Sequence, residues 1–164
     1  MKIVFNCSPL IFLYRLDFLE IFINDNHQFY IPPSVQLEIN AKPDQASGCI
    51  NRLISNQQLV VREIKLLSLA NRLNERLGRG ESEAISLAID LQTDYIILDD
   101  FAARKEAKRL GLNVKGTLAV VRKLHLEGRI NISDFDVLYQ KITEINFRVK
   151  REIFDEIFDD DIRN

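Results

Sequence analysis

The sequence predicts an α/β fold in which a parallel sheet is covered by helices on both faces. Three observations carry that reading. Short β-rich runs alternate with segments of helical period along the whole 164 residues. One run, Tyr95–Leu98, is apolar throughout, as strands inside such sheets are. No repeat, low-complexity tract or internal linker divides the chain, so one domain over residues 1–164 is expected.

The elements follow in order. Lys2–Asn6, KIVFN, reads as the first strand. Ser8-Pro9 then starts a helix, with Ser8 as its cap and Pro9 at the first helical position. Dense apolar positions from Leu10 to Ile23 give one long or two short buried helices. Gln28–Ile31 is a second strand that stops at Pro32-Pro33, and a helix follows through Val35–Ile39. The stretch Asn40–Gly48, NAKPDQASG, is the strongest loop signal in the chain. A helix about Ile50–Ile54 leads to the strand Leu59–Ile64. Leu66–Leu77 is helical by period, Gly78-Arg79-Gly80 interrupts it, and Glu81–Leu91 begins a second helix. After the Tyr95–Leu98 strand, Phe101–Leu110 is a helix closed by Gly111. Leu112–Lys115 is a short last strand, Thr117–Leu126 a helix ended by Gly128, and Ser133-Asp134 opens another. The acidic tail Glu152–Asn164 reads as a loose helix within a C-terminal helical extension, residues 133–164.

Composition narrows the function. Apolar residues make up 46% and charged residues 28%, an ordinary soluble balance. No apolar run reaches the roughly 18–20 residues of a membrane span, and the apolar start holds Arg15, Asp17 and Glu20 with no cleavage site, so a cytoplasmic protein is expected. Two cysteines, Cys7 and Cys49, make neither a disulfide framework nor a metal site; Cys7 reads as a small buried hydrophobe. Net charge is −2, so nucleic acid must be met by a local basic patch or through bound metal.

Ligands of open α/β sheets bind beyond the carboxyl ends of the strands. Asn6 follows the first strand, Asp99 and Asp100 the Tyr95 strand, and Gly116-Thr117 the last. This acidic, amide-bearing rim has no histidine and no serine–base pair, which favours hard-metal chemistry over a nucleophile. Glu81 lies three, four and seven residues before Ala84, Ile85 and Ala88, on the predicted core side of its helix; Glu83 then faces solvent. A core-facing carboxylate is costly unless paired or metal-bound, and the bland alternative is a favourable charge at a helix N-terminus. Asp99-Asp100 is a like-charged pair that a cation would relieve, although Asp100 also suits capping the helix at Phe101. Glu38, a turn or more past Pro32-Pro33, reads alone as a surface residue, as do His27 and His125. Arg104, Lys105, Lys108 and Arg109 form a basic face that is either solvated or phosphate-binding. Gly78-Arg79-Gly80 lacks the Lys-Ser or Lys-Thr of a phosphate loop.

FNCSPLIFL, IPPSVQLEI, GRGESEAISLAI, YIILDDFAARKEAKRLGL and VKGTLAVVRKLHLEGRI, in this order, resemble a prokaryotic branch of the PIN-domain proteins. The likeness runs to about Ile130, and FDVLYQKITEINFRVKREIFDEIF resembles that branch's C-terminal helices. It implies a five-stranded parallel sheet, three layers in all, and a Mg²⁺- or Mn²⁺-dependent ribonuclease site. Carried over one residue at a time, that site falls on Asn6, Glu38, Glu81, Asp99 and Asp100, with Asp100 the better match of its pair. Ser8 or Thr117 is the polar helper, and these two with Arg104, Lys105 and Lys108 are the candidate RNA contacts. Most of the family has Asp where Asn6 stands, so weaker metal binding and slower hydrolysis are expected. Such proteins are often toxins of toxin–antitoxin pairs, which implies RNA as substrate, a small antitoxin partner and a homodimer. Two other classes compete: a degenerate PIN module that binds RNA or protein, supported by Asn6, and a receiver-like phosphoacceptor. The receiver needs an acidic pair after its first strand and a Lys after its last, where Asn6-Cys7 and Gly116-Thr117 stand.

Overall fold

The computed structural model describes residues 1–24 and 26–162. Its elements are β1 (Lys2–Phe5), α1 (Cys7–Arg15), α2 (Leu19–Ile23), β2 (Gln28–Ile31), α3 (Pro33–Ala41), α4 (Gln45–Ser55), β3 (Val60–Val61), α5 (Leu67–Leu73), α6 (Arg79–Asp90), β4 (Tyr95–Ile97), α7 (Phe101–Arg109), β5 (Val114–Lys115), α8 (Thr117–Leu126), α9 (Phe135–Glu144) and α10 (Arg151–Ile162). The strands form one parallel sheet in the order β3-β2-β1-β4-β5. This is the five-stranded α/β architecture expected from the sequence.

Alternation along each strand divides the core in two. Ile3, Phe5, Phe29, Ile31, Tyr95 and Ile97 point to one face and pack with residues of α1–α4 and α8–α10. Val4, Tyr30 and Ile96 point to the other, against Leu73 of α5, Ala84, Ile85, Leu87 and Ala88 of α6, and Ala103 and Ala107 of α7. Phe22 meets Phe5 and Phe29 edge-on at centroid distances of 5.9 and 5.3 Å, filling the first layer.

Several boundaries moved, for local reasons. The cap of α1 is Asn6, and Ser8 lies inside the helix. Most of the expected 40–48 loop is helical. α3 runs to Ala41, and Asp44 starts α4 by accepting from Ser47 N–H at 2.8 Å while Ser47 Oγ accepts from Asp44 N–H at 2.9 Å. That reciprocal capping box turns a loop-like composition into a helix start. The third strand shrinks to Val60–Val61 at the sheet edge, where only β2 offers a partner. Gly111 takes φ +85°, the left-handed geometry that ends α7 without a Cβ penalty. The tail is helical to Ile162; Arg163 and Asn164 lie outside the described residues. Among the described residues, no helix is long and apolar enough to cross a membrane.

The chain fills β1, β2 and β3 on one side, then returns to place β4 and β5 on the other. The order therefore reverses between β1 and β4, the switch point where open α/β sheets bind ligands. Phe5 pairs with Ile97 there, and Asn6 N–H donates to Ile97 O at 3.2 Å. Asn6 thus sits beside the strand end that leads into Asp99 and Asp100.

Candidate active site

Asn6 is the central residue of this edge. It is 6% exposed, and its Oδ1 has no hydrogen-bond partner. Its side chain makes no capping bond to α1, although it occupies the N-cap position. A buried amide oxygen without a donor is costly, on the order of 1–3 kcal/mol. A hard cation is one group that would satisfy it, and carboxylate and amide oxygens are the donors such ions prefer.

Three carboxylates stand on neighbouring elements, Glu81 near enough to Asp100 and Glu38 to feel both charges. Glu81, in the first turn of α6, accepts from Gly78 N–H at 3.1 Å and is half-buried. Burial raises its pKa, the Gly78 N–H opposes the rise, and the charges of Asp100 and Glu38 add to it. Glu38 of α3 is raised first by burial and last by the Glu83 charge, against the lowering pull of Gly80 N–H and the Cys7 thiol. Gly80 lets the carboxylate come this close: an added Cβ would overlap Glu38 Oε1 and push that side chain away. The Cys7 thiol is pushed up to about 12 by burial and by Glu38, so it stays protonated against that carboxylate. Asp100 is exposed and caps α7, its Oδ1 accepting from Ala103 N–H at 2.9 Å.

Asp99 has a different task. Its two oxygens accept from Thr117 N–H at 2.8 Å and Thr117 Oγ at 2.6 Å, which fixes the start of α8. Burial raises its pKa despite those donors and the nearby Arg104 guanidinium. Arg104 Nη1 in turn donates to Leu98 O at 2.7 Å. Thr117 is fully buried. Thr117 and Arg104 therefore brace the strand ends. Ser8, Lys105 and Lys108 remain exposed.

The expectation for Glu83 is overturned. Glu83 is 9% exposed, accepting from Ser34 N–H at 3.1 Å and from Arg79 Nε at 3.2 Å. α6 packs against α3, α5 and α7 as well as the sheet, so it has no solvent face over Ser82–Ala88. Glu83 fills the side that a one-sided helix would give to water, and it holds the N-terminus of α3. The signal in the sequence was the small residues on that side, Ser82 and Ser86, whose hydroxyls bond back to Gly78 O and Ser82 O within the helix. Cys7 and Gly80 were also missed as neighbours of Glu38, because their contact joins α1, α3 and α6.

Among the described residues, no three His, Cys, Asp or Glu side chains are grouped closely enough to hold one ion. Glu81 and Asp100 each use an oxygen on a backbone N–H of their own helix start. The fit to a hard divalent ion rests on the donor types and on the orphaned Asn6 oxygen.

These shifts set a pH dependence. Glu38, Glu81 and Asp99 bind their protons more tightly folded than unfolded. Their contribution to stability is fully present below the ordinary values of 4.5 for Glu and 3.8 for Asp, and is lost as pH rises through the folded values. Glu81→Gln keeps an oxygen for Gly78 N–H and removes the charge. In chelator, its melting temperature should exceed wild type by a few degrees near neutral pH, and the gap should close toward about pH 4. A gap of constant size, followed by calorimetry, would show that the carboxylate charge is not its cause.

A sequence model of PIN domains matches residues 2–160 of the chain. Among solved structures, the chain is similar to a PilT N-terminus domain protein from the hyperthermophilic archaeon Sulfolobus solfataricus P2. The two are 22% identical, the alignment covers 75% of this chain and 92% of that one, and the TM-score is 0.49. A comparison with curated proteins found no match.

Proposed function

We propose that this chain, which belongs to the PIN-domain family, is a divalent-metal-dependent ribonuclease. PIN domains are generally nucleases, and the observation that carries the reading in this chain is the buried, unpartnered Asn6 Oδ1 at the switch point, flanked by elevated carboxylates. Asn6, Glu38, Glu81 and Asp100 would hold the ion, Mg²⁺ or Mn²⁺, by drawing their side chains inward from the spread positions they take in this structure. When bound, it supplies charge for the phosphoryl oxygens and a more acidic water.

The protein's own residues do the rest. Gly78 N–H and Ala103 N–H orient one oxygen each of Glu81 and Asp100, and leave the other oxygen of each for a ligand. Gly80 and the neutral Cys7 thiol hold Glu38 against the start of α6. Asp99, through Thr117 and Arg104, keeps the ends of β4 and β5 together beneath the rim. As in related toxins, a role in a toxin–antitoxin pair, with a small antitoxin and a homodimer, is the biological setting we favour. A growth defect on expression, relieved by the product of a short neighbouring gene, would test it.

The direct experiment is cleavage of labelled RNA in Mn²⁺, Mg²⁺ and chelator, paired with thermal unfolding in the same buffers. Cleavage only with metal is expected. A metal that binds the folded state alone stabilises it by about 2.7 kcal/mol at a hundredfold excess over Kd, roughly 5–10 °C for a chain of this size. One observation favours a second reading, a PIN module that binds without cutting: Asn6 supplies no charge where most of the family has a carboxylate. Intact RNA and an unmoved melting temperature in millimolar Mn²⁺ would select it.

A further inference from the structure

We propose that the groove between α5 and α7 carries single-stranded RNA toward the acidic rim, with the Phe101 ring stacked on a base. This rests on the ribonuclease reading and adds a surface to it. The groove, about 520 Å³, has a floor of Leu69, Leu73, Leu77 and Leu110 and is walled by Arg72, Arg76, Lys105 and Arg109. Glu106 is the acidic group within it; Arg109 Nε donates to Glu106 at 3.0 Å, and the Arg76 charge also acts on that carboxylate. Four cations against one anion leave a local excess of positive charge on a chain whose net charge is −2. That is the sign a phosphate backbone requires and the reverse of the molecule as a whole.

Phe101 supplies the second half. It is 81% exposed, the most exposed of the large apolar side chains, and is the first residue of α7. Asp100 precedes it directly, and Lys105 follows one turn later on the same helix face. Phe101 stands outside the groove lining, between its Ala102 and the rim's Asp100 along the chain, so a strand leaving the groove for Asp100 meets the ring on its way. Every base has a π-face, and an aromatic ring at such a point holds unpaired bases with little sequence preference. Paired bases present no such face, so the surface selects single strands.

The test is fluorescence anisotropy in chelator, which prevents cleavage, with a labelled unstructured oligoribonucleotide and a blunt duplex of the same length. Phe101→Ala should weaken single-strand binding about tenfold and leave duplex binding unchanged. Phe101→Tyr should restore it, an outcome that loss of structure would not give. Arg72→Gln with Arg76→Gln should weaken both RNAs and flatten the salt dependence of single-strand binding by about 1.4 in the log–log slope, the value for two phosphates. Phe101→Ala binding like wild type would overturn the proposal. So would no RNA binding by wild type, or an oligoglutamate peptide that competes through the arginines with no dependence on Phe101. The two readings separate cleanly. A wild type that cuts RNA in Mn²⁺ but binds it without Phe101 and the arginines sinks the groove alone. One that binds through them and never cuts sinks the nuclease and keeps the groove.

Discussion

Asp100→Asn is expected to lower metal-dependent RNA cleavage by about a hundredfold or more, with the fold intact. Asn caps a helix as well as Asp does, so the bond from Ala103 N–H to residue 100 survives and α7 keeps its start. What is lost is one anionic ligand for the ion, and several kcal/mol of charge stabilisation at about 1.4 kcal/mol per tenfold in rate gives that magnitude. The metal-free protein should melt slightly higher, since the Asp100 charge helps hold Glu81 above its ordinary pKa. The Mn²⁺-induced shift should shrink at the same time. Asp99→Asn is the informative contrast. Both oxygens of Asp99 accept from Thr117; an asparagine there keeps the Thr117 N–H bond, and its amide N–H donates to Thr117 Oγ once that hydroxyl turns its own proton away. That variant should change stability little near neutral pH, because the weaker bond to Thr117 is offset by removal of a buried charge, and it should still respond to Mn²⁺. If the two variants exchange these behaviours, the assignment of Asp100 to the ion and Asp99 to the scaffold is wrong.

That contrast also marks how far the sequence could be read. The sheet was legible because each strand is a short apolar run with its own punctuation; Gln28–Ile31 ends at Pro32-Pro33 in sequence and in space alike. The chain positions of Asn6, Glu81 and Asp100 were legible too, because each follows a strand end or opens a helix beside one. Their roles depend on partners distant in sequence. The cap position marks Asp100 locally; the role of Asp99 is set by the hydroxyl of Thr117, 18 residues on. Nothing local buries Glu83; the N-terminus of α3, 49 residues earlier, does. A helix wheel assumes one wet face, and α6 lacks one over that stretch because α3, α5 and α7 surround it. The 40–48 stretch failed for the opposite reason. Its Pro, Asp, Ser and Gly suit a loop, but Asp44 and Ser47 are spaced to cap each other, and that spacing outweighed the composition.

Asn6→Asp should produce the largest change of sign between metal-free and metal-bound protein. Asn6 is 6% exposed and its Oδ1 has no donor. A carboxylate at that position is buried and without a donor, on the sheet edge whose charge comes from Glu38, Glu81, Asp99 and Asp100. Desolvation and like charge both raise its pKa, so the metal-free variant should lose on the order of 3 kcal/mol near neutral pH. Its stability should recover as pH falls toward the ordinary carboxylate range, because the folded state then takes up the proton first. In millimolar Mn²⁺ the same charge becomes a ligand. The melting temperature should climb back by more than wild type gains, and RNA cleavage should rise. The readouts are unfolding in chelator and in Mn²⁺, and cleavage of one labelled RNA by wild type, Asn6→Asp and Asn6→Asp with Asp100→Asn. The double variant guards against contaminating ribonuclease, which would ignore all three changes. It should fall below Asn6→Asp in rate, because it regains one carboxylate and loses another. A variant destabilised in chelator and not rescued by Mn²⁺ would show that the edge gathers negative charge without binding metal. Equal cleavage by the three proteins would remove the switch point as the place where RNA is cut.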